Sequence, residues 1–357
     1  LPPYHGYPCV YAYGGDGGHH AQEWATPSVR QPGGHEVLLL VSEKAIDQRA
    51  LQAHPDLQSR QISMVGKPRT LSPAMLKFLF KVWKTYRHCK GLVREFRADA
   101  VLGMGGFTSL PPIMAGKHLG KPTFIHESNA IPGKANKLTA TYCSAVFVGM
   151  DVCTQHFPGK TCHVVGTPVR DGLKVAINRA EARASFGLCP DKKTLLVMGG
   201  SQGARGVNNA MTGALAELDP ETLQIIHLTG KDDEANVRVA YEKTDFTHHV
   251  APFCDRMGEA LASADVVISR SGASSMSELA HFGIPSILIP YPHAAEDHQT
   301  FNAKPFADAG AAVLCPQGDL KASDLARLIR EDFLDPGIYE VMQRKMHSFS
   351  SNDANIK

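Results

Sequence analysis

Residues 266–303 read VVISRSGASSMSELAHFGIPSILIPYPHAAEDHQTFNA, and this stretch decides the fold. The β-branched run Val266 to Ser269 has the length and composition of a buried strand, and Ser271-Gly272 turns the chain toward a helix expected to start near Ser275 and stop at Gly283. Ile284-Pro285 leads into a second apolar run, Ser286 to Pro290, followed by a polar loop that carries Glu296, Asp297, His298, Gln299 and Asn302. Strand, glycine turn, helix and strand make half of a doubly wound sheet, whose ligands lie beyond the carboxyl ends of the strands. Those polar residues stand where a ligand is expected.

Working outward, the same unit recurs. Apolar runs end in glycine turns at Tyr11 to Tyr13 before Gly14-Gly15-Asp16-Gly17-Gly18, at Val101 to Met104 before Gly105-Gly106, and at Leu195 to Met198 before Gly199-Gly200. With the turn at Gly272 there are two in each half of the chain, the pattern of two α/β domains in tandem with parallel strands and crossover helices. Further strands are expected at Glu36 to Val41, Gln61 to Met64, Thr123 to Ile125, Ala145 to Val148 and His163 to Val165. Gly166 to Arg170 reads as the crossing point, and Pro190-Asp191-Lys192 introduces the second domain's first strand. After His19 the segment to Gly34 holds Pro27 and Pro32 and no apolar stripe, so only a short or broken helix is expected there.

Composition narrows the class. The 357 residues are 43% hydrophobic and 20% charged, which suits two ordinary soluble cores, and a net charge of +2 gives no electrostatic footprint for nucleic acid. Eight scattered cysteines without a CxxC or a metal-ligand cluster read as reduced core residues in a cytosolic setting, with no metal site. No apolar run approaches the roughly 18 residues of a spanning helix, so any membrane contact is peripheral. One helix suits such contact. Pro73 to Phe96 places Lys77, Lys81, Lys84 and Arg87 at three- and four-residue spacing beside Phe78, Phe80, Val82 and Trp83. That pattern fits either an anionic lipid surface or a solvated face over a buried stripe.

Chemistry concentrates at the turns. Gly199 to Ala204 lets the backbone approach a diphosphate, with Ser201, Gln202 and Gly203 at the start of a helix whose free N–H groups and dipole favour anions. The same residues spell the G-x-S-x-G of hydrolases, but that fold does not predict a second glycine-turn domain. Glu278 has two readings: it closes a capping box with Ser275, or it accepts hydrogen bonds from the cis hydroxyls of a ribose. His19, after the first glycine turn, has the side chain suited to a general base near neutral pH. Glu127, in His126-Glu127-Ser128-Asn129 at a strand's carboxyl end, is base or orienter, with Asn129 a hydroxyl partner.

Together GGDGGH at 14–19, VLGMGGFTS at 101–109, HESNAIPG at 126–133, VGTPVR at 165–170, LLVMGGSQGARGVN at 195–208, RSGASSMSEL at 270–279 and HQTFNA at 298–303 resemble the MurG family of UDP-N-acetylglucosamine transferases. The resemblance implies an α/β chain of the GT-B fold, two facing Rossmann-like domains with parallel sheets. Residues 1–168, with 340–357 returning to them, would form an acceptor-binding, membrane-facing domain, and 169–339 a UDP-sugar donor domain. It implies an inverting transfer of GlcNAc from UDP-GlcNAc to the C4 hydroxyl of undecaprenyl-pyrophosphoryl-MurNAc-peptide (lipid I), forming lipid II on the cytoplasmic face of the bacterial inner membrane, without a cofactor.

By the same likeness Glu278 binds the ribose, Ser201 and Arg170 the diphosphate, and Gln299 and Asn302 the GlcNAc hydroxyls. Gly17, Gly18 and Asn129 line the acceptor side, with His19 the first choice of base and Glu127 the second. Asp16 stands where relatives usually carry threonine, and the Ala21 to Gly34 segment is polar where theirs is apolar. Two other readings stay open: a GT-B glycosyltransferase with another lipid acceptor, or a nucleotide-sugar-binding protein without turnover.

Overall fold

The computed structural model describes residues 8–13, 36–43, 57–63, 73–169, 173, 177–199 and 204–350. The chain divides into two compact units, Leu1–Asp171 with Asp353–Lys357, and Gly172–Asn352.

In the first unit, seven parallel strands lie in the order β3-β2-β1-β4-β5-β6-β7. They are β1 (Cys9–Tyr13), β2 (Val37–Ser42), β3 (Gln58–Ile62), β4 (Ala100–Gly103), β5 (Thr123–Glu127), β6 (Ala145–Val148) and β7 (Cys162–Val164). Val10, Leu40, Val101, Ile125 and Val146 are wholly buried, as strands covered on both faces require. The helices are α1 (Pro73–Glu95), α2 (Leu110–His118) and α3 (Lys134–Ala140). Close packing of α2 on β4 depends on Gly116, where a Cβ would lie 2.7 Å from a Val101 methyl. Expectation and structure differ at β3, which starts three residues before and ends two residues before the expected Gln61–Met64. Its sequence QSRQI is polar because it is an edge strand with three exposed residues, so the apolar end drew the reading forward.

The second unit repeats the plan with six parallel strands, β10-β9-β8-β11-β12-β13. These are β8 (Lys193–Met198), β9 (Leu223–Leu228), β10 (His248–Ala251), β11 (Val266–Ser269), β12 (Ser286–Leu288) and β13 (Ala312–Leu314). Its helices are α4 (Arg179–Ser185), α5 (Arg205–Ala214), α6 (Glu234–Tyr241), α7 (Met257–Ser263), α8 (Ala273–Phe282), α9 (His298–Asp308), α10 (Ala322–Leu328) and α11 (Pro336–His347). Numbered within the unit the strand order is 3-2-1-4-5-6, the Rossmann order, which reverses between β8 and β11.

At the amino-terminal edge of this sheet, buried Asp265 binds Arg183 at 2.6 Å, Arg179 at 3.1 Å and the Thr194 N–H at 2.8 Å. That cluster ties α4 to the sheet at the edge away from the ligand end. Residues 340–357 were expected to return to the first domain. Of these, Asp353–Lys357 group with it, while 340–347 end α11, whose Tyr339 and Met342 belong to the second unit's core and whose Met346 is wholly buried, because the apolar stripe of this helix meets α8.

A buried polar chain fixes the start of α5 beside the strand reversal. Asn208 Nδ2 donates to the Thr229 carbonyl and to Asp233 Oδ2, both at 3.0 Å, and Asp233 Oδ1 accepts from Arg205 at 3.3 Å. Since its nitrogen is spent, Asn208 Oδ1 accepts from His227 Nε2 at 3.1 Å, which leaves His227 Nδ1 to accept from the Tyr241 hydroxyl at 3.0 Å. With Nε2 donating and Nδ1 accepting, the chain of donation runs one way and the imidazole is neutral, as its burial favours. Burial pushes the His227 pKa down to about 3.

The unfolded chain therefore binds one more proton than the folded chain between about pH 6.5 and 3, and stability falls as pH falls through that window. Between pH 7 and pH 5 wild type should lose about 2 kcal/mol more than His227→Gln, read from urea midpoints. Parallel pH dependence in the two proteins would exclude a buried neutral His227.

Candidate functional site

In the second unit the switch point lies where β11 pairs with β8, Ser269 opposite Met198. Beyond it the chain turns through Arg270, Ser271 and Gly272 into α8. Gly272 is the N-cap, with extended backbone and no side-chain cap bond. The helix starts at Ala273, two residues before the expected Ser275, so Ser275 lies inside the first turn and forms no capping box with Glu278. Ser275 misled because S-x-x-E marks a helix start only when the serine precedes the helix. Glu278 falls in the second turn, a carboxylate only 6% exposed.

The turn is tied to the loop that follows β12. Wholly buried Ser271 donates its hydroxyl proton to the Gln299 carbonyl at 2.8 Å, and Asn302 Nδ2 donates to the Ser271 carbonyl at 3.1 Å. Asn302 is 0% exposed, so its amide is part of the frame and not of the surface open to a sugar. Gln299 Oε1 accepts the Tyr291 N–H at 2.9 Å and closes the loop of residues 291–299, while its amide nitrogen donates to no described group. Just before α9 two non-glycine residues, Glu296 and Asp297, adopt left-handed backbone at φ 55° and 53°. Such geometry costs about 1–2 kcal/mol per residue, strain held by the ties on either side.

Arg270 is the organiser that the sequence reading quoted but did not single out. Its guanidinium donates to the Ile289 and Pro290 carbonyls at 3.0 and 2.9 Å and to Gln317 Oε1 at 2.7 Å, and it lies over the Tyr291 ring at 5.5 Å. Burial lowers its pKa from the ordinary arginine value. Gln317 in turn presses on the first turn of α5, where a Cβ on Gly206 would lie 2.6 Å from it. The start of α5, the β11 turn and the loop after β12 are thus one connected frame. Its signal was arginine at a strand end, which no length or periodicity rule distinguishes from a surface arginine.

In the first unit β5 runs two residues past Ile125, because His126 and Glu127 pair with Phe147 and Val148 of β6. Glu127 is 3% exposed. Its Oε1 accepts from the Asn129 N–H at 2.9 Å and Asn129 Nδ2 at 3.0 Å, and its Oε2 from the Gly133 N–H at 3.1 Å and Asn136 Nδ2 at 2.7 Å. An ionised carboxylate offers about four lone-pair sites, and four donors occupy them. Glu127 therefore orients Asn129 and the start of α3. His126 Nε2 donates to the Gly166 carbonyl at 2.9 Å, joining the β5 loop to the segment after β7. Asn136 Oδ1 is buried without a hydrogen-bond partner among the described residues.

On α1 the exposed surface differs from the expected one. Phe78 and Val82 turn inward, while Leu76, Leu79, Phe80 and Trp83 are exposed by 72%, 54%, 64% and 50%. Lys77, Lys84 and Arg87 are exposed beside them, and Arg87 stacks on Trp83 at 5.2 Å. Asp16, Gly17, Gly18, His19, Arg170, Ser201, Gln202 and Gly203 lie outside the described residues. Among the described residues no helix is long and apolar enough to cross a membrane.

Residues 10–148 match the glycosyltransferase family 28 N-terminal domain and residues 194–356 its C-terminal domain. The chain is 35% identical over 333 residues to the UDP-N-acetylglucosamine--N-acetylmuramyl-(pentapeptide) pyrophosphoryl-undecaprenol N-acetylglucosamine transferase of Halothermothrix orenii, covering 90% of this chain and 89% of that one. To the protein of the same name from Bacillus licheniformis it is 32% identical over 349 residues, covering 97% and 95%. Among solved structures it is similar to Acinetobacter baumannii MurG, with a TM-score of 0.78, 26% identity, and coverage of 98% and 97%. The Neisseria meningitidis UDP-GlcNAc 2-epimerase, at 11% identity, 0.67 TM-score and coverage of 98% and 97%, shares the fold alone. With two Rossmann-like units, both family 28 domains in order and such identity over nearly the whole length, the chain belongs to the MurG family of glycosyltransferases.

Proposed function

We propose that the chain carries out the reaction its relatives are named for, moving N-acetylglucosamine from UDP-GlcNAc to the C4 hydroxyl of undecaprenyl-pyrophosphoryl-MurNAc-peptide with inversion at the anomeric carbon. The observation that carries this reading is Glu278, a buried carboxylate in the second turn of the helix that leaves the switch point, in a chain whose relatives use a UDP-sugar. Acidic residues at the nucleotide sites of doubly wound sheets accept ribose hydroxyls.

The roles divide as follows. Glu278 holds the ribose. The Ser201-Gln202-Gly203 turn and Arg170 receive the diphosphate, with the amino-terminal end of α5 stabilising charge on the leaving UDP. Gln299 offers its amide to the GlcNAc hydroxyls, and Asn302 acts through Ser271 by fixing where Gln299 stands. On the acceptor side Gly17 and Gly18 approach the lipid diphosphate, and His19 takes the proton of the attacking hydroxyl. Glu127 serves by orienting Asn129, since its oxygens are already filled. The exposed Leu76, Leu79, Phe80 and Trp83 enter the interface of an anionic membrane, with Lys77, Lys84 and Arg87 against the headgroups. The enzyme is thereby peripheral on the cytoplasmic face of the bacterial inner membrane, where a lipid-linked acceptor is met.

UDP release from UDP-GlcNAc should depend on a short-chain lipid-linked MurNAc-peptide, and Glu278→Ala should abolish it with at least a tenfold loss of UDP affinity, about 1.4 kcal/mol. Release that survives the substitution would remove Glu278 from the donor site. Glu127→Gln turns an amide N–H toward groups that already donate, so it should destabilise the fold by about 1–3 kcal/mol while UDP affinity holds. Full stability with lost turnover would instead make Glu127 the base. Replacing Leu76, Phe80 and Trp83 together by serine should weaken sedimentation with phosphatidylglycerol vesicles at least tenfold, since each large apolar side chain contributes about 1.5–3 kcal/mol when fully buried. Unchanged sedimentation would leave that stripe without a membrane role.

A further inference from the structure

We infer that the segment Lys345 to Phe349, at the end of α11 and just past it, positions the two helices that carry the donor contacts, an inference that rests on the donor site proposed above. Three contacts on two helices point to it. α8, which carries Glu278, ends at Gly283 in left-handed backbone. The His347 ring lies directly on that glycine, where any Cβ would overlap its Nε2, Cε1 and Cδ2. α9, which carries Gln299 and Asn302, is followed by Gly310, also left-handed at φ 68°. A Cβ there would lie 2.9 Å from Lys345 Nζ. Between these two contacts Met346 is wholly buried, and beyond them Phe349 stacks on Phe306 of α9 with ring centroids 4.2 Å apart and planes at 28°.

One short segment therefore touches the carboxyl ends of both helices and one helix flank. The contacts are also electrically suited to those ends. The last turn of a helix carries unpaired carbonyls and partial negative charge, which the Lys345 ammonium complements. Glu278 lies five residues before Gly283, roughly 7.5 Å along a rigid rod. Displacing the helix end displaces the carboxylate with it. Gln299 lies at the far end of α9, so a tilt about the Phe306–Phe349 stack moves it laterally. Helix ends that merely needed covering would be served by solvent, whereas here side chains fill the space that two glycines leave.

The test uses the full chain and a compensating pair, with UDP-GlcNAc affinity, KM, kcat and melting temperature measured for each variant. Gly283→Ala drives a methyl into the His347 ring and should weaken UDP-GlcNAc roughly tenfold, a coupling of ordinary size for residues in contact, raising KM while kcat stays within about twofold. Adding His347→Ala removes the obstacle and should recover most of that affinity. The left-handed strain of alanine at 283 remains in both proteins and lowers melting temperature in both, so recovered affinity isolates the contact. Equal affinity in the single and double variants overturns the inference, and so does parental affinity in Gly283→Ala. Should Gly283→Ala not fold, His347→Ala and Phe349→Ala are read alone: a few-fold rise in KM supports positioning, and a lowered melting temperature at parental KM overturns it. Glu278→Ala is the separate control, since parental UDP-GlcNAc affinity in that variant refutes the donor-site reading itself, whatever the other variants do.

Discussion

The exchange between Ser271 and its two partners holds the ligand end of the second unit's sheet together. A hydroxyl donates to the backbone of Gln299, and the amide of Asn302 donates back to the Ser271 carbonyl, with both Ser271 and Asn302 wholly buried. Neither bond contributes more than about 1–1.5 kcal/mol net, yet losing either leaves a buried polar group unpaired, and that asymmetry makes the tie hard to dissolve. Because Ser271 lies two residues past β11 and Gln299 is in the first turn of α9, the tie converts the position of a sheet strand into the position of a side chain at the ligand end. The strained pair Glu296-Asp297 sits between Gln299 and the Arg270-held carbonyls of Ile289 and Pro290. Left-handed backbone at two adjacent non-glycine residues persists only when both flanks are fixed.

The two units solve one problem with different chemistry. A parallel sheet ends in open turns whose backbone groups need partners, and each unit supplies them with one buried carboxylate. In the first, Glu127 collects four donors from its own loop and from α3. In the second, Asp233 collects Arg205 and Asn208 from α5, and Asn208 passes the order on to a neutral His227. The second arrangement needs a specific tautomer and protonation state, so burial of His227 is part of the design of the turn and not incidental to it. Asp265 does similar work at the opposite edge of its sheet, where Arg183 and Arg179 neutralise it. Isolated buried charge would be costly there; paired and bonded, it anchors the entry of the chain into the second unit.

Much of this was legible in the sequence, and the exceptions have physical reasons. The runs at Ala145–Val148 and Val266–Ser269 are strands with those bounds, because central parallel strands are apolar on both faces and stand out from any background. The second sheet's β9, β10 and β13 were not read. LQIIHL and HHVA carry polar residues that tertiary partners satisfy, as Tyr241 and Asn208 satisfy His227, and no local rule sees those partners. At the site, the sequence left Glu278 between a capping box and a ribose contact, and only the helix start at Ala273 removes the capping box. Asn302 was expected on the sugar hydroxyls by likeness to the MurG family. Its complete burial shows that polar residues at the ligand end also build the loop.

The same reasoning explains why α1 has an apolar surface at all. A helix whose inward stripe is Phe78, Val82, Cys89 and Val93 already has its core contacts, so Leu76, Leu79, Phe80 and Trp83 add nothing to that core. Scattered single apolar residues on a surface need no cause, but four on adjacent turns, bordered by Lys77, Lys84 and Arg87, form a patch with a polar rim. Exposed apolar area costs solubility in water and is retained where a second apolar phase can cover it. In the function proposed above, the bilayer that holds a lipid-linked acceptor would supply that phase, and a positive rim would favour an anionic face. On that proposal the helix is one object with two buried sides, one covered by the protein and one by lipid.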